Sequence, residues 1–168
     1  MLAKTRDKVK SCQEAVVLCI TSAGMICLKS SDVSGAKAAI GEAETIIDEL
    51  PSVTNVHSRF YELSSLYYKL IGDFSQYYRH SLRYLGCTKL EDIPMESQRE
   101  RAFDLCLAAL LGKNVFNFGE LLQHKILESL RPTDKGWLVD LISVFNAGDM
   151  AQFNGIFIFG FSHALFLK

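Results

Sequence analysis

Apolar residues return along this chain at steps of three and four, and alternation with a step of two is almost absent. That spacing lines side chains up on one side of an α-helix. From Gln13 to Leu28 the set is Val16, Cys19, Ile20, Ala23 and Ile26, and Leu18 and Met25 widen the face, so this helix is expected to be buried on more than one side. Asp32 suits the N-cap of a second helix, with Ala36, Ala39, Ile40, Ala43, Ile46, Ile47 and Leu50 inward and Lys37, Glu42, Glu44 and Asp48 outward. Pro51 ends that run. A third helix is expected over about Val56–Ile71, with Phe60, Leu63, Tyr67 and Leu70 inward. After the break at Gly72-Asp73 a fourth carries Phe74, Tyr78, Leu82 and Leu85. A looser stretch around Lys89–Pro94 precedes a fifth helix bearing Phe103, Cys106, Leu107, Leu110 and Leu111, closed by Gly112. A sixth, with Leu121, Leu122, Ile126 and Leu130, and a seventh, with Trp137, Leu138, Leu141, Ile142 and Phe145, flank Pro132. Asn146-Ala147-Gly148 reads as a C-terminal stop.

Helices in series with short connectors pack as antiparallel neighbours, which predicts an all-α protein, either a repeat solenoid or an irregular bundle. The stretch "FYELSSLYYKLIGDFSQYYRHSL" favours the solenoid. It shows the tetratricopeptide-like order of aromatic, Leu, paired Tyr, Gly-Asp-aromatic and a second aromatic helix. Large rings fill such a seam, and Gly72 permits the turn.

Composition removes several function classes. The 168 residues are 49% hydrophobic and 22% charged with a net charge of −1, values of an ordinary globular chain that can bury a core without disulfides or metal. No basic stripe is present to collect phosphates, so nucleic acid is not an expected partner. Cys12, Cys19, Cys27, Cys87 and Cys106 form no CxxC motif and read as small buried hydrophobes of a reducing compartment. The charged start "MLAKTRDKVK" is unlike a signal peptide, and the expected localisation is cytoplasmic or nuclear.

No constellation of catalytic residues emerges, and no catalytic, cofactor-binding or metal residues are assigned. Gly35 and Gly41 sit within a helical stripe and not in a phosphate-binding turn. His57, His80, His124 and His163 are scattered, without metal-ligand spacing to one another or to a Cys or carboxylate. His57 adjoins Ser58, but neighbours on a helix diverge by about 100°, so a capping or surface role is expected of the histidine. The one enrichment is aromatic: Tyr61, Tyr67, Tyr68, Tyr77, Tyr78 and Tyr84 crowd two helices. Helix packing explains them first, and a protein-binding face is the functional alternative.

The segments "VHSRFYELSSLYYKLIGDFSQYYRHSLRYLGC" and "RAFDLCLAALLGKNVFNFGELLQHKILESLRPTDKGWLVDLISVFNAGD" resemble the non-ATPase regulatory subunit 13 family of the 26S proteasome lid, from near Thr5 to about Phe153. That resemblance implies the N-terminal helical-repeat arm of a PCI-type subunit, a scaffold without catalytic residues, cofactor or small-molecule substrate. It implies other lid and regulatory-particle subunits as partners, in support of ubiquitin-dependent degradation. A free-standing adaptor that holds a peptide or helix is the alternative.

Residues 1–153 are accordingly expected to form a helical-repeat domain, and 154–168 a tail unlike the family. That tail, "NGIFIFGFSHALFLK", carries four of the eleven phenylalanines and no charge before Lys168. The run from Ile156 to Leu167 is too short to span a bilayer as a helix, and no membrane partner is expected.

Overall fold

The computed structural model describes residues 12–149, 152, 153 and 155, and among these every regular element is helical. The expected tail from Asn154 onward lies, apart from Gly155, outside the described residues. Two compact units are present, one up to Lys89 and one from Leu90.

The first unit contains α1 (Gln13–Lys29), α2 (Val33–Asp48), α3 (Asn55–Ile71) and α4 (Phe74–Cys87). α1 packs on α2 and α3, α2 also packs on α3, and α3 packs on α4. These are two successive hairpins whose first helices lie side by side. Val17, Ile20, Ala36, Ile40, Ala43, Ile47, Val56, Phe60, Leu63 and Tyr67 form their common core. The α2 stripe expected from the sequence is the one that packs inward, with Lys37, Glu42, Glu44 and Asp48 exposed.

Both hairpins turn by the same device. Ser31 and Gly72 adopt left-handed backbone, with φ of 62° and 76°. The following N–H of Asp32 reaches back to Cys27 O at 2.8 Å, and that of Asp73 to Tyr68 O at 3.0 Å. Each aspartate then caps the next helix, Asp32 Oδ1 accepting from Gly35 N–H at 2.9 Å and Asp73 Oδ1 from Gln76 N–H at 3.1 Å. The return bonds and caps satisfy helix-end groups that would otherwise be unpaired. Repetition of the whole turn, down to its bonding pattern, marks the hairpins as structural repeats.

The face of α1 is rotated from the sequence expectation. Val17, Ile20, Thr21 and Gly24 are buried, whereas Val16, Cys19 and Ala23 are half-buried and Ile26 is 57% exposed. The reason is close approach at Gly24, where a Cβ would lie 2.7 Å from Leu63 Cδ2 and 3.1 Å from Ala39 Cβ. Gly24 lets the helices meet on the face of Val17, Ile20 and Thr21, which leaves Leu18 and Ile26 exposed on the other side. Leu70 is likewise not inward but 57% exposed. Phe74, the first residue of α4, is also exposed, while Tyr78, Leu82 and Leu85 are buried as expected.

The second unit holds a short 3-10 turn (Leu90–Asp92), α5 (Met95–Leu111), α6 (Gly119–Gln123), a 3-10 segment (Lys125–Ser129) and α7 (Trp137–Ala147). Gln98, buried at the start of α5, donates through Nε2 to Leu90 O at 2.8 Å and Ile93 O at 2.7 Å, tying the looser stretch to the helix. α5 buries Ala102, Leu105, Cys106 and Ala109, a stripe one residue away from the expected one. Phe103, Leu107 and Leu110 are half-buried and Leu111 is exposed. With apolar residues nearly all round "AFDLCLAALL", the pattern does not choose a face, and close packing selects the alanines.

The expected sixth helix is two pieces. His124 is extended (φ −80°, ψ 127°), and its Nδ1 accepts from Ile126 N–H at 3.2 Å, so a side chain replaces a helical partner there. Leu121, Ile126 and Leu130 are nonetheless buried. α7 ends at Gly148, φ 70°, and the N–H of Asp149 returns to Val144 O at 3.2 Å. Asp149 Oδ1 then accepts from Gln152 N–H at 3.0 Å, the same turn as at Gly72-Asp73. Phe145, expected inward, is exposed at this end and meets Phe118 and Phe153 at ring-centroid distances of 6.4 and 4.8 Å.

Candidate functional site

The aromatic hairpin α3–α4 is where the sequence concentrates unusual side chains, and its geometry separates packing from display. Tyr67, Tyr77, Tyr78 and Tyr84 are buried, which is the packing role; Tyr61 and Tyr68 remain half-exposed. Arg83 lies over the Tyr61 ring at 5.7 Å, a cation–π arrangement on the outer side of the seam. Burial, then the negative field of Glu44, raises the Tyr68 phenol above its ordinary range, with smaller contributions from Tyr67 and Asp73.

His80 lies inside this aromatic group, only 7% exposed. Its ring centroid is 5.0 Å from Tyr68, 5.9 Å from Tyr61 and 6.3 Å from Phe60. Burial first, and then the positive charges of Arg83 and Arg79, lower its pKa to about 4. In the sequence it is one of four scattered histidines. The available signal was its place on the inner face of α4, three residues after Tyr77 and four before Tyr84.

The other histidines have structural duties. His57 is buried and its Nδ1 accepts from Thr54 N–H at 3.1 Å, the capping role expected of it. His124 supports its local turn, and His163 lies outside the described residues. The cysteines depart from expectation: Cys106 alone is buried, Cys19, Cys27 and Cys87 are half-buried, and Cys12 is exposed. Burial pushes the Cys106 thiol up to about 12 and raises that of Cys87, the reverse of what a nucleophile needs. Among the described residues no group of His, Cys, Asp and Glu could hold a metal ion, and no helix is long and apolar enough to cross a membrane. What the geometry offers is surface: helical faces with partly exposed tyrosines, Leu66 and Leu70 on α3, and Leu18 and Ile26 on α1.

Comparison with known proteins gives that surface a context. Residues 1–142 match the family model described as PSD13 N-terminal repeats. The chain is 40% identical over 142 residues to the probable 26S proteasome regulatory subunit rpn9 of Schizosaccharomyces pombe, covering 84% of this chain and 37% of that protein. It is 36% identical over 141 residues to the 26S proteasome non-ATPase regulatory subunit 13 homolog A of Arabidopsis thaliana, covering 83% and 36% of the two. The 26S proteasome non-ATPase regulatory subunit 13 of Dictyostelium discoideum is 35% identical over 154 residues, 89% of this chain and 40% of the relative. The matched part thus spans between a third and two fifths of each relative's length. With its repeated helix hairpins and a match over most of its residues, the chain belongs to the family of PSD13 N-terminal repeats.

Proposed function

We propose that this chain serves as a non-catalytic helical-repeat scaffold of the 26S proteasome regulatory particle. In this role it supports ubiquitin-dependent degradation through contacts with other lid and regulatory-particle subunits, in the cytoplasm and nucleus. The family match over residues 1–142 carries this reading. The relatives are regulatory subunits by name, and the histidines and buried cysteine described above have structural environments in place of catalytic ones. Residues 1–153 would act as the repeat segment and 154–168 as a tail outside the family pattern. Nucleic acid, membranes and small-molecule substrates have no part in the proposal.

Affinity purification of the tagged chain after in-cell crosslinking tests it. Crosslinks from the α1–α4 hairpins to regulatory-particle subunits are the expected outcome. Efficient crosslinking to other proteins with no proteasome subunit among them would overturn the reading. It would favour the second one, an adaptor that holds a peptide or helix. The exposed apolar residues Leu18, Ile26, Leu66 and Leu70 on the neighbouring helices α1 and α3 are the observation on that side.

A further inference from the structure

We propose that His80 makes the α3–α4 hairpin an acid-sensitive latch: the neutral imidazole serves as an aromatic wedge in the seam, and proton uptake expels it and loosens the hairpin. The geometry carries this. Three rings from α3, those of Phe60, Tyr61 and Tyr68, surround the imidazole, and its buried Nδ1 has no hydrogen-bonding protein partner. An imidazolium needs an acceptor for each N–H, or water, and this seam offers its Nδ1 neither a carboxylate nor a carbonyl.

The surrounding charges point the same way. On α4 itself, Arg79 and Arg83 both oppose a further positive charge. From α3 the titratable neighbours are Tyr61 and Tyr68, and Glu62 is turned to Arg59 at 3.7 Å. Glu44 of α2 and Asp73 at the start of α4 act on the Tyr68 phenol. Aromatic faces attract cations, so the rings alone would favour the imidazolium. Burial and the two arginines outweigh them, and the folded-state pKa is about 4 against an ordinary 6.5.

The sign follows from linkage. Between those two values the open hairpin binds the proton and the closed one does not, so closure weakens as pH falls from about 6.5 and levels off below about 4. At pH 4.5 the open state should gain on the order of fiftyfold over its share at neutral pH.

The test uses the full 168-residue chain. The His80 imidazole is titrated by NMR, and amide exchange of α3 and α4, corrected for intrinsic rates, is compared at pH 7 and pH 4.5 for wild type and His80→Phe. A His80 midpoint below about 5, with protection lost from the wild type and kept by His80→Phe, is the expected result. A midpoint within about half a unit of 6.5 would overturn the latch. So would equal loss of protection in His80→Phe. If that variant fails to fold at pH 7, the wild-type titration and exchange decide the matter alone.

Discussion

The stretch from Gln13 to Cys87 and the stretch from Gly112 to Gly136 solve the same problem, returning a chain on itself over apolar side chains, in different ways. The first does it with four full helices and one turn design used twice, at Ser31-Asp32 and Gly72-Asp73. The second does it with a left-handed Asn114, a five-residue helix, an extended His124 and a five-residue 3-10 segment. Local side-chain bonds hold this path. Asn117 Oδ1 accepts from Gly119 N–H at 3.1 Å, and Thr133 Oγ1 donates to Leu130 O at 2.7 Å. The regular region packs long helices on one another through matching turns, whereas the irregular one buries Leu121, Ile126 and Leu130 on a path set by local side-chain bonds. Substitutions in the core of the first should therefore cost the most, and those in its turns the least.

The largest expected effect is at Leu63, fully buried where α1, α2 and α3 meet. Leu63→Ala should destabilise by roughly 2–5 kcal/mol, because the rigid helices around it cannot collapse into the space. Chemical denaturation measures this, and a loss below about 1 kcal/mol would show that the three helices do not meet at that residue.

Gly24→Ala approaches the same point from the other side. A methyl there lies 2.7 Å from Leu63 Cδ2, so the leucine or the helix must move. The gain in helix propensity, about 1 kcal/mol, opposes a packing cost of about 1–3 kcal/mol. Net destabilisation is expected, relieved when Leu63→Ala is added. That non-additivity in a double-mutant cycle is the diagnostic, since two residues that merely sit in one core would add.

These two residues also show what the sequence could and could not disclose. Leu63 stands out because α3 is amphipathic and its aromatic neighbours mark the seam. Gly24 does not, because a periodicity argument ranks faces by hydrophobicity and a glycine scores nothing. The inward face of α1 is chosen by how closely two backbones can approach, a property of the partner helices as much as of α1. The same limit explains α5, where Ala102 and Ala109 are buried and Leu111 is not. Helix existence and most helix ends were legible from caps, prolines and glycines. His124 escaped because its effect lies in one bond to Ile126 N–H, 3.2 Å long, that no spacing rule encodes. As for function, the aromatic hairpin was visible as an enrichment, but the burial of His80 within it required the packing of α3 on α4.

Asp32, Asp73 and Asp149 occupy equivalent places in three turns, each accepting an N–H three residues ahead. Asp→Ala at any one should cost about 1 kcal/mol, typical of a lost N-cap. Thermal melts of the three variants compare the turns directly. A loss at Asp32 and Asp73 without one at Asp149 would restrict the shared device to the first unit.

The smallest expected effect has the opposite sign. Ser31 holds φ of 62°, a conformation in which an L-residue crowds its own carbonyl, while Gly72 takes φ of 76° at the same place in the next hairpin without that cost. Space is not the obstacle at Gly72, since a Cβ there would meet nothing within 4 Å. Exchange of the two residue types isolates the backbone term. Gly72→Ser should destabilise by about 1–2 kcal/mol, the usual penalty for a side chain in left-handed backbone. Ser31→Gly should stabilise by less than about 1 kcal/mol, because relief of strain is partly offset by the greater freedom glycine gives the unfolded chain. The Ser31 hydroxyl does not enter the account, as the hydroxyl bonds at this helix end come from Ser30, to Ile26 O at 3.0 Å and Cys27 O at 3.1 Å. Opposite shifts in denaturation midpoint would establish that the two turns are one design with different residues. Destabilisation by both substitutions would mean that Ser31 is held by something other than its backbone, and that the resemblance of the turns stops at their hydrogen bonds.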